Sequence, residues 1–203
     1  DQAWGRPSAR VRLSFLPGVE APSAPGHEDA LMSYERGGLG VLVARGRTSV
    51  YEGEAARSAT ALARIASGAR LRAALLVTRA TPLRGSGDVA SGSAPGQVRV
   101  VADHLNLSGG SLFPAPGMVS AGWDATLTER LGSLRGVSGS SVVALVPGPL
   151  RPSPAESRAL VSLGADAAVT DSVAEAMILA ARGVAVSALT YLDAPAAGGN
   201  LGQ

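Results

Sequence analysis

Short apolar runs alternate along this chain with stretches of helical periodicity. Gly40-Val41-Leu42-Val43-Ala44 is a continuous apolar run of the kind buried in a parallel sheet. Glu54 to Gly68 follows it, with Ala55, Ala59, Leu62, Ile65 and Ala66 at helical spacing. Further runs at Leu75-Leu76-Val77, Gln97 to Ala102, Val142 to Val146, Ala167-Ala168-Val169 and Val184-Ala185-Val186 predict strands. Helices are predicted over Asp124 to Leu134, from Ser153-Pro154 onward, where serine caps and proline opens the first turn, and over Ser172 to Arg182. Before Leu39 only Val11 to Phe15 alternates, which predicts an edge strand among loops, and Ser86 to Pro95 reads as a Gly/Ser-rich loop. The order strand, helix, strand predicts a three-layer α/β fold with a mixed, mostly parallel central sheet flanked by helices. Residues 1–203 are expected to form one domain.

Composition narrows the function classes. With 46% hydrophobic residues the chain can bury a core, and the absence of cysteine excludes disulfides, thiolate metal sites and a cysteine nucleophile. All 18 basic residues are arginine, spread from Arg6 to Arg182 among 16 acids, and only two Trp, three Tyr and two Phe accompany them. Nucleic-acid proteins cluster their basic residues with aromatic platforms, so no nucleic-acid partner is expected. No apolar run reaches the roughly 18 residues of a membrane helix, and a cytoplasmic location with no membrane partner is the default expectation.

In an open α/β sheet, ligands sit beyond the carboxyl ends of the strands. The loops to inspect are therefore Arg45 to Gly53, Asp103 to Leu107, Pro147-Gly148-Pro149 and Thr170-Asp171-Ser172. One reading is a small anion or sugar site, with Arg47 as the fork for phosphate or carboxylate. The other is a set of solvated turns whose arginines pair with nearby acids. His27, in Pro25-Gly26-His27-Glu28, has no second histidine nearby, so no metal is expected there; His104, after a buried run, is read as structural before catalytic. Gly-x-Ser-x-Gly elbows, Walker loops and paired His-Glu metal helices do not occur.

Taken together, the loops resemble the trimeric purine nucleoside phosphorylases. Asp103-His104-Leu105-Asn106-Leu107 is similar to that family's Asp-His-Ile-Asn-Leu, Pro25-Gly26-His27 to its Pro-Gly-His, and Gly46 to Gly53 to its Gly-Arg-x-His-x-Tyr-Glu-Gly. Gly148-Pro149 with Pro154-Ala155-Glu156, Leu163-Gly164-Ala165-Asp166 and Ser172-Val173-Ala174-Glu175 continue the match in register, over roughly Phe15 to Thr190. The resemblance implies phosphorolysis, in which inorganic phosphate, as co-substrate and without any cofactor, displaces the base of a purine nucleoside to give ribose 1-phosphate. It also implies a homotrimer, or a trimer shared with an active relative.

Residue by residue, the resemblance assigns phosphate contacts to His27, Arg47 and the Ala80 amide, and a sugar contact to Tyr51. It also exposes departures. Asp171 stands where the family has a phosphate-binding serine, Ser49 where it has a loop histidine, and Thr170 where a methionine underlies the ribose. Pro152 replaces the base-recognising glutamate, Arg151 its phenylalanine neighbour, and Tyr191 the purine-contacting asparagine. The family's glycine-rich phosphate loop has no counterpart before Phe15, and its carboxy-terminal helix none after Gly199. Two expectations follow from this pattern. In the first, phosphorolysis is lost and the chain is a structural or regulatory subunit. In the second, it is an active phosphorylase of purine or unusual nucleosides whose loops pair differently. An unrelated anion-binding α/β protein is the third reading.

Overall fold

The computed structural model describes residues 4–49, 56–84, 93–108, 122–148 and 151–193. Its first unit is an antiparallel sheet of β1 (Ala9–Val11), β2 (Leu31–Arg36) and β3 (Leu39–Ala44), in that spatial order. The apolar run at Gly40 to Ala44 is therefore not a strand of a buried parallel sheet. The reason is local: Gly37 and Gly38, at φ 55° and 77°, supply the two left-handed residues of a tight hairpin, so β3 must return alongside β2. The run near Val11 ends sooner than its alternation predicts, because Leu13–Phe15 coils into a 3-10 turn that buries Leu13.

The second unit is a closed barrel in the order β4 (Ala73–Pro82), β7 (Ala167–Val169), β6 (Val137–Leu145), β5 (Val98–Asn106), β8 (Ala185–Leu192). Its β4–β8, β5–β6 and β6–β7 ladders are parallel, whereas short antiparallel contacts at β4–β7 and β5–β8 close it. A mixed, mostly parallel sheet is thus present, but curled on itself and separate from β1 to β3. Its interior is filled by Val101, Val143, Leu145, Val169, Ala188 and Leu192. Helices cover it outside: α5 (Val173–Ala180) packs on β8 and α2 (Ala61–Gly68) on α5, in one cluster with Ala63, Ala176, Ile178 and Val186, and α4 (Pro154–Ser162) sets Leu160 on Ala144 and Ala168.

Two boundaries differ in ways that matter for the site. Thr60, at φ −100° and ψ 4°, divides the helix predicted over Glu54 to Gly68 into α1 (Ala56–Ala59) and α2. Asp103 to Asn106, predicted as a loop, lie inside β5, because the nine-residue β6 continues the ladder past two register shifts to the pair Asn106 and Leu145. His104 there accepts a 3.1 Å hydrogen bond at Nδ1 from the Trp123 indole, which requires neutral imidazole, and burial lowers its pKa in the same direction. It anchors the entry to α3 (Ala125–Gly132), which Asp124 caps at the Leu127 amide. The run predicted at Val184-Ala185-Val186 likewise opens the longer strand β8, Ala185–Leu192.

The capping signal before α4 is fulfilled at both ends. Ser153 Oγ accepts from the Glu156 amide and Glu156 Oε2 from the Ser153 amide. Ser153→Ala is expected to cost about 1 kcal/mol, read as a lower urea midpoint at unchanged slope.

Candidate functional site

Three chain segments that are distant in sequence meet at Arg47. Gly46 sets the approach: a Cβ there would stand 2.6 Å from the Glu28 carbonyl oxygen and 2.9 Å from Pro22 Cγ, so only glycine lets the exit of β3 press against the 22–28 segment. That contact brings His27 Nδ1 to 2.8 Å from the Arg47 carbonyl oxygen, to which a protonated Nδ1 donates. The guanidinium then crosses to the barrel. Arg47 Nη2 donates to the Val77 carbonyl at 3.2 Å and lies 2.8 Å from Asp171 Oδ1.

Asp171 is held as firmly as its partner. Thr78 Oγ1, buried in β4, donates to the same Oδ1 at 2.5 Å. The Asp171 carbonyl accepts from Ser172 Oγ at 2.6 Å and from the Val173 amide at 2.9 Å. Ser172 sits at φ 66°, a region L-residues rarely adopt, and that turn starts α5. The Arg47 and Asp171 side chains are only 18% and 14% exposed, so their attraction is less screened than that of a surface pair. Buried Glu175 faces the pair one turn into α5. Desolvation pushes its pKa up, opposed by Arg47 and reinforced by Asp171. The cluster therefore holds one guanidinium, one carboxylate bound to it, and one carboxyl biased toward its neutral form.

The remaining candidates are distributed unevenly. Ser49 is buried at 2% exposure beyond Arg47, and Thr170 precedes Asp171 at the end of β7, so both belong to this neighbourhood by chain position. Ala80 is buried, and its carbonyl accepts from the Asp193 amide on the β8 side. Tyr191 is 43% exposed on β8, level with Arg79 on β4. Arg79 grips Asp193 Oδ1 through Nε and Nη2 at 2.9 and 2.8 Å, and Arg151 approaches Asp193 Oδ2 at 4.0 Å. Asp193 thus gathers Arg79, Arg151 and the end of β8 into a second polar group, with Pro152 next to Arg151. Tyr51 lies outside the described residues, as does most of the loop from Ser86 to Pro95. Sequence reasoning missed the Asp193 clamp and the part of Glu175. The latter was visible only as the last residue of Ser172-Val173-Ala174-Glu175, three residues from Ser172 on the same helix.

The comparisons give this arrangement its class. The chain is 33% identical over 200 residues to purine nucleoside phosphorylase of Mycobacterium tuberculosis, covering 97% of this chain and 72% of that protein. It is 34% identical, with the same coverage, to that of Mycobacterium leprae. Purine nucleoside phosphorylase 1 of Bacillus subtilis is 25% identical over 93% of this chain and 72% of that one. Among solved structures, Schistosoma mansoni purine nucleoside phosphorylase in complex with inosine superposes with a TM-score of 0.72 at 20% identity, covering 97% of this chain and 76% of that chain. Isoform 2 from the same organism, with cytosine and ribose-1-phosphate, gives 0.74 at 21% identity over 92% and 70%. No protein-family model matches the sequence. The chain belongs to the purine nucleoside phosphorylase family. Among the described residues, no helix is long and apolar enough to cross a membrane.

Two measurements check these electrostatics. Arg47→Ala leaves a mostly buried carboxylate without its cation and is expected to cost about 3 kcal/mol, whereas Arg47→Ala with Asp171→Ala together cost less than the sum, with a coupling of about 1 to 3 kcal/mol in a urea double-mutant cycle. For Glu175 the raised folded pKa means that the folded state holds a proton the unfolded state releases. Stability contributed by the neutral carboxyl is full below the unfolded pKa and is lost as pH rises toward the folded one. Glu175→Gln should remove that decline from the pH profile of unfolding.

Proposed function

We propose that this chain is a purine nucleoside phosphorylase family member whose anion subsite is closed from within, and that it has lost phosphorolysis to serve as a structural or regulatory subunit. The observation that carries this reading is the 2.8 Å pair between Arg47 and Asp171, with Thr78 donating to the same oxygen. Arg47 and His27 are the phosphate contacts that the family resemblance assigns, and a carboxylate already occupies the guanidinium. A phosphate entering beside Asp171 meets a like charge worth on the order of 4 kcal/mol per unit charge at about 4 Å and an effective dielectric near 20. The loss of a donor and the gain of an opposing charge act in the same direction.

The base side supports the same reading. Proline at 152 has no side-chain acceptor, and Tyr191 cannot present the paired donor and acceptor of an amide. Neither can stabilise negative charge developing on a departing purine. Ser49, Thr170 and Arg151, with Tyr51, would line the sugar and base side. Such a subunit would act in the cytoplasm as a homotrimer or in a trimer with an active relative; a closed ring covers sheet edges that a small domain leaves open.

The second reading is an active phosphorylase, and a specific observation favours it: the 33 to 34% identity runs over 97% of the chain, to proteins bearing that enzyme name. In that case Asp171 must swing off Arg47 when phosphate binds. Phosphate then attacks the anomeric carbon, the glycosidic bond breaks with its electron pair going to the base, and ribose 1-phosphate remains, with no metal or cofactor taking part.

Phosphate-dependent release of base from inosine, guanosine and adenosine separates the two. The expected result is no detectable turnover, with partial recovery when Pro152→Glu, Asp171→Ser and Tyr191→Asn are combined and little from any one alone, because such groups act as a unit. Turnover near the enzyme median of about 10 per second in the unaltered chain establishes the second reading instead.

A further inference from the structure

Asp171 meets its two partners through one oxygen. Arg47 Nη2 lies 2.8 Å from Oδ1, and Thr78 Oγ1 donates to that same atom at 2.5 Å. Among the described residues no ion pair or hydrogen bond engages Oδ2, and Oδ2 is not among the polar atoms sealed from solvent without a partner. The carboxylate is therefore clamped at one oxygen and open to water at the other, with its side chain 14% exposed. The backbone completes the clamp, because the Asp171 carbonyl accepts from Ser172 Oγ and from the Val173 amide. Protein contacts, rather than solvent, thus set the direction in which Oδ2 points.

A fixed carboxylate oxygen within reach of water is what general-base chemistry requires, since the base must take a proton from the attacking water without first being reoriented. Glu175, the other acid of the cluster, is buried and biased toward its neutral form, which leaves Asp171 as the carboxylate that meets water. The same charge acts oppositely on two nucleophiles. It opposes an incoming phosphate. It orients a neutral water, and it favours the positive charge that develops on a sugar ring as its anomeric bond breaks.

We propose that Asp171 is the general base of a phosphate-independent hydrolase acting on ribosides whose leaving group is acidic. The inference goes beyond the loss of phosphorolysis but rests on the same assignment of His27 and Arg47 to the nucleophile's side of the sugar, since a group there faces the anomeric carbon. Water forms a bond to that carbon while its proton passes to Asp171 Oδ2. The bond from the carbon to the leaving group breaks, and the leaving group departs with the electron pair. Ribose is then released and Asp171 returns its proton to solvent. Pro152 and Tyr191 do not replace the groups that stabilise a departing purine, so the leaving group must carry its negative charge unaided. An acidic phenol or an acidic heterocycle does so more readily than an ordinary purine.

The test is to assay the 203-residue chain with 4-nitrophenyl β-D-ribofuranoside, whose phenolate is read by its colour, in buffer without phosphate and again with phosphate added. Release of the phenolate about a hundredfold or more above buffer is expected, with free ribose as the sugar product and no dependence on phosphate. Asp171→Asn keeps an oxygen for Arg47 and Thr78 but cannot take a proton. It should lower kcat about a hundredfold while KM moves less than about threefold. Asp171→Ser, a second variant in case the first does not fold, should lower the rate as far. Release that survives both substitutions at unchanged kcat overturns the role of Asp171. No release above buffer from the unaltered chain overturns the proposal whatever the variants do. Failure of the underlying reading looks different: a phosphate-dependent rate with ribose 1-phosphate as product overturns the proposal in favour of phosphorolysis and is told apart by that product.

Discussion

The parallel ladder between β4 and β8 is the constraint on which both polar groups of this protein depend. It runs for eight residue pairs, from Ala73 with Ala185 to Ala80 with Leu192, and fixes which side chains of β4 enter the core and which peptide groups stay outside. Thr78 is turned inward by that register and meets Asp171. Val77, one residue earlier, offers its carbonyl outward to Arg47. At the top of the same ladder Arg79 stands level with Tyr191 and clamps Asp193. A shift of one residue would exchange the two faces and separate all of these contacts at once.

The Arg47 cluster is an electrostatic balance with one charge too many for a dry site. A single guanidinium faces two carboxyl groups. The nearer one, Asp171, is matched by the ion pair and by Thr78, while the buried one, Glu175, is driven toward its neutral form by desolvation. The ion pair forms without a ligand. An incoming anion therefore competes with a carboxylate that is held from the backbone side by Ser172 and the first turn of α5.

Several stretches shared with the purine nucleoside phosphorylases build backbone. Asp166 accepts the Val142 amide and exchanges main-chain bonds with β6 and Leu83, after Gly164 has turned the chain at φ 93°. His104 serves Trp123 and the start of α3. Gly46 allows a contact that any Cβ would block. These groups explain how the fold persists while the residues at 152, 171 and 191 differ in chemistry from those the resemblance assigns to substrate.

The sequence by itself determined the strand and helix order from Leu75 onward, the cap at Ser153, the loops that gather near β3 and β7, and the family, because these rest on local periodicity, turn chemistry and motifs in register; the strand β2 (Leu31–Arg36) lay in a stretch read as loops. It did not determine that Gly37-Gly38 would fold β3 back into a separate antiparallel sheet in place of a buried parallel strand, although the two glycines carried the signal. Nor did it show that the sheet would close into a barrel, or that Asp103 to Asn106 would be drawn into β5, since strand length is set by the partner across the ladder. The candidate site was legible as Arg47, His27 and Asp171 taken separately. Only tertiary structure decided that Arg47 and Asp171 are partners, because 124 positions of chain separate them and an ion pair at that separation exists only once β7, paired with β4 at Thr81 and Pro82, and the exit of β3, held at the Val77 carbonyl, have both been set against β4.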